Sequence, residues 1–590
     1  MNNNNTENFV SDFHDKKYKQ KYLEPLIDHK SLIYDLSRKK ESLNGSWNFQ
    51  IDQYNTFLRS KWYLNKKEDE DGRKIPIDHD FDQWEEITVP ACWNTESDKY
   101  LYYEGSAIYT RKFKYINQGE KKVFIKIGAA NYDSYLFLNK KFLGHHQGGS
   151  TPFMVEITEF LEQNNRLHIV VDNSRRREAV PTPNTDWFNY GGIYRDVEIL
   201  RLPESYIKDF SLSLAENSLT ELKCSLQIAG TLKSGTAKLK IPELNIDKKI
   251  SIKNGSGNIR FEAKPELWSP EDPKLYKIIL SFGNDKIKEK IGFRQIKVMG
   301  SDIYLNGEEI YLKGIAIHEE SVKNAKAVTE SEIIENLKLA KEMNCNYMRL
   351  AHYPHSYKVA KIADEMGVML WEEIPVYWAI DFENPLTYQD AENQLLELIK
   401  RDQNRASVII WSVGNENEDT DRRLDFMSRL VKKAKKFDPT RLVSAACLVD
   451  QENNMISDRL TDYLDIIGQN EYYGWYDPDF SKLSDCMDNS NPDKPVIITE
   501  FGAGALSGER GTIDDLFTED HQLRVYQKQT EVLEGIKYIK GLSPWILFDF
   551  RCPRRTNKYQ QGYNRKGLLS ADKRHKKLAF YEMQRYYSEK

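Results

Sequence analysis

Between Ser42 and Leu202 the apolar positions come in short runs, several alternating with period two: GSWNFQID, AIYTRKFKY, KVFIKIGA, SYLFLNKKFLG, LHIVVDN and DVEILRL. The runs are rich in β-branched and aromatic residues and are separated by Gly, Asn and Pro, which predicts the strands of a β-sandwich. A second series, DFSLSLAE, LKCSLQIAG, AKLKIPEL and KLYKIILSFG, runs from about Pro203 to Phe293. Its length suits one immunoglobulin-like sandwich of roughly 100 residues.

After Gly300 the period changes. Ile333, Leu337, Ala340 and Met343 fall on one stripe of a helix predicted over 332–344, and Leu424, Met427, Val431 and Ala434 repeat the arrangement. Between such helices lie the continuous apolar runs NYMRLA, VMLWEEI, SVIIWSVGNE, RLVSAAC, DIIGQNEY, PVIITEFG and PWILFDF, the pattern of parallel strands covered on both faces. With an eighth strand near YLKGIAIH they predict a (β/α)8 TIM barrel. A doubly wound sheet competes, but no Gly-rich phosphate turn follows a strand. The expected multidomain chain is a jelly-roll-like sandwich over 1–202 with an extension over 1–42, an immunoglobulin-like sandwich over 203–293, and a barrel over 294–590.

Charge narrows the choice of partner. The chain of 590 residues carries 85 Lys and Arg against 90 Asp and Glu, a net of −5 without long basic stretches, so no nucleic-acid partner is expected. Six cysteines, at 92, 224, 345, 447, 486 and 552, contain no C-x-x-C pair; free, mostly buried thiols are expected, with no metal site and no cofactor. No run reaches the ~20 apolar residues of a membrane span. The Asn-rich start lacks a secretory apolar segment, so a cytoplasmic location is expected, or a secreted or periplasmic one if a signal peptide has been removed.

In a barrel, polar residues that abruptly end an apolar strand mark the reactive rim. Here they are Glu372 and Glu373; Asn415, Glu416 and Glu418; Asn470 and Glu471; and Glu500. Several carboxylates on one rim suit glycoside hydrolysis, which needs one neutral acid to protonate the leaving oxygen and one carboxylate to attack or to activate water. Glu416 and Glu500 are the favoured pair. Gly502 follows Glu500 and allows close approach of a ligand, and Asn415 offers an amide to a sugar hydroxyl. Glu418 reads as a rim or helix-start charge, and Glu373 as a supporting acid.

The segments WSVGNENE, IITEFG, HHQGGSTPF (145–153) and DWFNYGGIYRDV (186–197) resemble glycoside hydrolase family 2, above all its β-glucuronidase branch. LNGSWNF, GFRQIKV (292–298), NYMRLAHYPHS, NEYYGWY and PWILFDF fall in family order, so the resemblance spans nearly the whole chain. It implies a sugar-binding-like first sandwich and a retaining exo-β-glycosidase releasing terminal β-D-glucuronic acid from a small-molecule or oligosaccharide β-glycoside. It also implies Glu416 as acid/base and Glu500 as nucleophile. Asn564 and Lys566, in NRKG, resemble the pair that holds a uronate carboxylate; Asp186 resembles the acid sent to the 4-hydroxyl; Tyr472 and Tyr476 resemble site tyrosines, Trp545 the floor, and His318, Arg349 and His352 polar neighbours. Family members form dimers and tetramers, so a homo-oligomer is compatible.

Departures from the family pattern are Asn417 after Glu416, Ile546-Leu547 after Trp545, and a basic cluster at Arg551, Arg554 and Arg555. The first puts the shape of the loop after Glu416 in doubt, the others leave open a β-galacturonidase, and N-x-K-G strings in galactoside-cleaving relatives leave open a β-galactosidase of the same family. A reading of another class, a non-catalytic carbohydrate-binding protein, is opposed by the retention of both carboxylates.

Overall fold

The computed structural model describes residues 25–590. The first sandwich packs a six-stranded antiparallel sheet on a four-stranded one. In the strand Gly45–Ile51, Trp47 and Phe49 point to the buried side, as the period-two pattern requires. SYLFLNKKFLG is a hairpin rather than one strand: Asp133–Leu138 and Lys141–His146 turn at Asn139 and Lys140, whose φ values of 47° and 70° match a tight two-residue hairpin loop. The second sandwich has three strands on four, with Leu239 and Ile241 alternating inward.

The third unit is a closed barrel of eight parallel strands, which excludes the doubly wound sheet. They are labelled here β1 Leu312–His318, β2 Tyr347–Ala351, β3 Met369–Glu373, β4 Val408–Asn415, β5 Leu442–Leu448, β6 Ile467–Asn470, β7 Val496–Glu500 and β8 Ile539–Leu542. The last strand precedes PWILFDF, which instead crosses the rim. Pro544 lacks the N–H a continuing ladder needs. The expected helix over 332–344 is Glu330–Glu342, begun by a reciprocal Thr329/Glu332 cap. Its buried side carries Ile333, Leu337 and Ala340.

Two joints lock the units together. Arg294, in GFRQIKV, donates to the backbone carbonyls of Ala406, Thr440 and Val408 at the bottom of the barrel. Beside it the Trp268 indole of the second sandwich donates to Asp364 O at 2.8 Å. At the other joint, the first sandwich rests on the barrel helix Pro385–Asp402. His146 Nε2 lies 3.1 Å from Glu397 Oε1, and Gln394 Nε2 donates to Val180 O at 2.8 Å. Gly148 makes this approach possible: at φ +106°, a Cβ there would meet Gln394 Cγ at 3.0 Å.

Of the N-terminal extension, residues 1–24 lie outside the described part. From residue 25 onward it straps all three units. Ile27 joins the first sandwich's core, Tyr34 packs edge-on against Phe210 of the second at 4.6 Å, and His29 N donates to Asn393 of the barrel at 2.7 Å. All six cysteines are buried and free. Among the described residues, no helix is long and apolar enough to cross a membrane, and no cluster of three or more His, Cys, Asp or Glu suits a metal ion.

Candidate active site

Strands β2, β3, β4, β6 and β7 bring their terminal polar residues to one end of the barrel. Arg349, fully buried, is the hub: Nη1 donates to Glu500 Oε1 at 2.8 Å, Nη2 to Asn415 Oδ1 at 2.6 Å, and Nε to Glu373 Oε2 at 3.1 Å. Burial opposes charge on Glu373, but Arg349 and then His352, at 2.8 Å, hold its carboxyl down at about 2. Glu373 thus fixes the guanidinium without facing a ligand itself. Glu372 points the other way, to Arg401 and Asp402. Glu471 also turns outward, accepting from Tyr473 N and Gln529 Nε2.

Glu500 receives a second hydrogen bond from the Tyr472 hydroxyl at 2.7 Å. Glu416 has different company. It follows the last residue of β4 at φ +52°, a left-handed conformation uncommon for a residue with a Cβ, secured by its N–H on Ala446 O at 2.8 Å. Its Oε1 accepts from Asn470 Nδ2 at 3.0 Å and its Oε2 from Trp378 Nε1 at 2.7 Å. Burial, and next the negative charge of Glu500, raise its pKa; the two hydrogen bonds only partly offset them. One carboxylate is therefore salt-bridged to arginine and the other biased toward the neutral form.

Asn415 Oδ1 is occupied by Arg349 and Asn470, which fixes the amide orientation, and its buried Nδ2 has no partner among the described residues. Trp545 lies beyond β8, buried, with its ring stacked on His352 at 4.8 Å. His318 is buried among Trp187, Trp545 and Phe550, with Nδ1 3.1 Å from the Tyr353 hydroxyl. Burial, then His352 and His355, keeps its imidazole well below the ordinary range. It is a neutral wall of the site. Asn417 Nδ2 ties the turn after Glu416 to Trp378 O at 2.7 Å, and Glu418 is exposed before the helix Asp421–Phe437.

The first sandwich contributes a long loop between Asp172 and Gly192, clasped at its base by reciprocal Asn173 and Asn189 amides. It carries Trp187 onto Tyr377 and Asp186 to the residues after β8. Asp186 accepts from Arg555 Nη2 at 2.6 Å, Arg555 Nε at 3.1 Å and Asn564 Nδ2 at 3.0 Å, with Cys552 Sγ at 3.3 Å. Burial opposes its charge, yet Arg555 prevails and lowers its pKa.

Lys566 is 4% exposed, and Nζ donates to the Tyr476 hydroxyl at 2.8 Å while lying over the rings of Tyr472 and Tyr476. Arg555 Nη1 approaches the same hydroxyl at 3.4 Å. Tyr476 is 61% exposed as a residue, but its phenol end meets both cations, which overcome burial and lower its pKa. Two positive charges thus converge with one carboxylate, Asp186, between them.

The structure brings together Asp186, His318, Asn415, Glu416, Tyr472, Tyr476, Glu500, Trp545, Asn564 and Lys566, whereas Glu372, Glu418 and Glu471 lie outside this group. Sequence reading missed Trp378, which lies past the end of β3 and reads there as packing. It also missed the tie between Arg555 and Asp186, because 369 positions separate them.

Paired carboxylates in unlike environments at the mouth of a (β/α)8 barrel, fed by a sandwich loop, are those of a glycoside hydrolase. Three family models match in order: the glycosyl hydrolases family 2 sugar binding domain at residues 40–203, the glycosyl hydrolases family 2 model at 205–294, and its TIM barrel domain at 296–589. The chain belongs to glycosyl hydrolases family 2. It is 25% identical to a β-glucuronidase of Paenibacillus borealis over 92% of this chain and 96% of that one. Among solved structures it resembles a family 2 β-galacturonidase from Eisenbergiella tayi bound to galacturonate, with a TM-score of 0.81, 25% identity and coverage of 94% and 97%. It also shares the fold of a Ruminococcus gnavus β-glucuronidase, with a TM-score of 0.82, 24% identity and coverage of 96% and 100%.

Proposed function

We propose that the chain is a retaining exo-β-glycosidase that releases terminal β-linked uronic acid, with glucuronides as first substrates. The observation that carries this reading is Lys566: a buried cation at the site whose partners among the described residues are tyrosines and not a carboxylate. A substrate carboxylate supplies the missing charge, and Asn564 and Arg555 stand beside it. β-Glucuronidase names among the relatives support the same class.

The reaction follows from the two carboxylates. A Glu500 oxygen attacks the anomeric carbon while Glu416 gives its proton to the departing glycosidic oxygen, leaving a glycosyl ester on Glu500. Water then loses a proton to Glu416 and attacks the same carbon, and Glu500 leaves as a carboxylate. Arg349 and Tyr472 orient Glu500, the unpartnered Asn415 Nδ2 meets the 2-hydroxyl, and Trp545 underlies the ring.

One observation favours β-galacturonides as a second reading. Asp186 already accepts from Arg555 and Asn564, so recognition at C4 passes to a guanidinium, which only donates. The test is parallel turnover of chromogenic β-glucuronide, β-galacturonide, β-galactoside and β-mannoside. Preference for either uronide is the expected result; preference for a neutral sugar overturns the Lys566 argument.

A further inference from the structure

A large cavity lies away from the carboxylates, at the side of the barrel where the first sandwich, the N-terminal strap and the loops after β1 and β2 meet. Its volume is about 470 Å³, within the usual range of small-molecule sites. One part of its wall is apolar, built from Leu32, Ile33, Pro90, Pro152, Met154 and Val328. The other part is charged, and most of its buried charges are matched. Lys126 bonds Asp35 at 2.6 Å, Arg195 bonds Glu319 at 2.6 Å, and Lys400 donates to the His29 and Leu32 carbonyls.

Lys326 is the exception. It lines the cavity at 6% exposure, with Nζ 3.4 Å above the centre of the Tyr353 ring. Among the described residues, no hydrogen-bond acceptor or carboxylate is paired with this ammonium. The nearby acids are committed elsewhere: Glu319 to Arg195 and Ser356 N, and Glu320 to Arg551 N. A buried cation held by the rings of Tyr353 and Tyr194, and only at a distance by Glu319 and Glu320, which are paired elsewhere, is under-compensated.

We infer that this cavity is a binding site for a small amphipathic anion, an apolar body bearing one carboxylate or phosphate that pairs with Lys326. Burial lowers the amine to about 8, so it is mostly charged at neutral pH, and an anion beside it completes the pair. The site also has a physical route to the reaction centre. Tyr353 meets His318 at 3.1 Å, and His318 packs edge-on against Trp545 at 5.3 Å.

The test is calorimetric titration of the full chain at pH 7 with benzoate, phenyl phosphate and the neutral benzamide. At least one anion should bind one-to-one, and benzamide should bind about tenfold more weakly or worse, the scale of one charge-assisted hydrogen bond. Benzoate against phenyl phosphate tells which headgroup the site prefers. Lys566→Met removes the active-site cation and should leave this binding intact, whereas Lys326→Met should weaken it at least about tenfold. If Lys326→Met does not fold, Ala327→Trp keeps the amine, fills the cavity and should abolish binding. The inference fails if neither anion binds, if benzamide binds equally well, if Lys566→Met loses the binding, or if both cavity variants keep it.

Discussion

Trp378 donates its indole N–H to Glu416 at 2.7 Å, from a position after β3 that carries no carboxylate of its own. That bond favours the charged form of Glu416, while burial and Glu500 favour the neutral one. Trp378→Phe should therefore raise the Glu416 pKa. In the proposed reaction Glu416 must be protonated to assist departure, so activity should be lost as pH rises through that pKa. The alkaline limb of kcat/KM should move to higher pH in the variant. An unmoved or lowered limb would show that Trp378 does not set this ionisation.

Glu500→Gln should abolish turnover, since the amide cannot form the ester. Glu416→Gln should slow substrates with poor leaving groups by ~10²–10⁴-fold, the usual worth of a positioned general acid. Azide should partly restore that variant with an activated aryl glycoside by replacing water in the second step. Full activity without azide would place the acid/base elsewhere.

Lys566→Met should raise KM for a β-glucuronide roughly 10–100-fold, the scale of one buried charge-assisted contact. Slow turnover of a neutral β-galactoside should change little. Equal losses on both substrates would mean that Lys566 supports the tyrosines rather than the sugar acid.

Glu471 makes a separate prediction about stability. Burial pushes its carboxyl up to about 8. A carboxyl raised on folding contributes stability at low pH, below its unfolded value, and that contribution fades as pH climbs toward 8. Glu471→Gln should flatten the fall in Tm between pH 5 and pH 8. A variant whose Tm follows the parent across that window would contradict this origin.

The fold was legible because each unit has its own hydrophobic period, and because strands buried on both faces stand out. The slip at β8 has a clear cause. PWILFDF is as apolar as a strand, since it packs over the rim, whereas Ile539–Leu542 (IKGL) is short and half-polar in composition. Glu416 and Glu500 were legible as acids ending apolar runs. Trp378 was not, because a tryptophan serving a carboxylate looks like one serving the core. The Lys326 cavity was equally invisible, since its walls come from separate stretches of all three units.

Asp186 and Trp187 reach the barrel from a domain that holds neither paired carboxylate. The proposed sugar pocket thus draws on two folding units, the barrel with Lys566, Asn564 and Arg555 and the sandwich through a loop clasped by two asparagines. In the proposed reaction, substitutions in the sandwich loop can alter sugar preference while leaving both barrel carboxylates in place. A barrel expressed alone would keep both acids, yet it would leave Arg555 without its counter-charge and the sugar pocket without one wall.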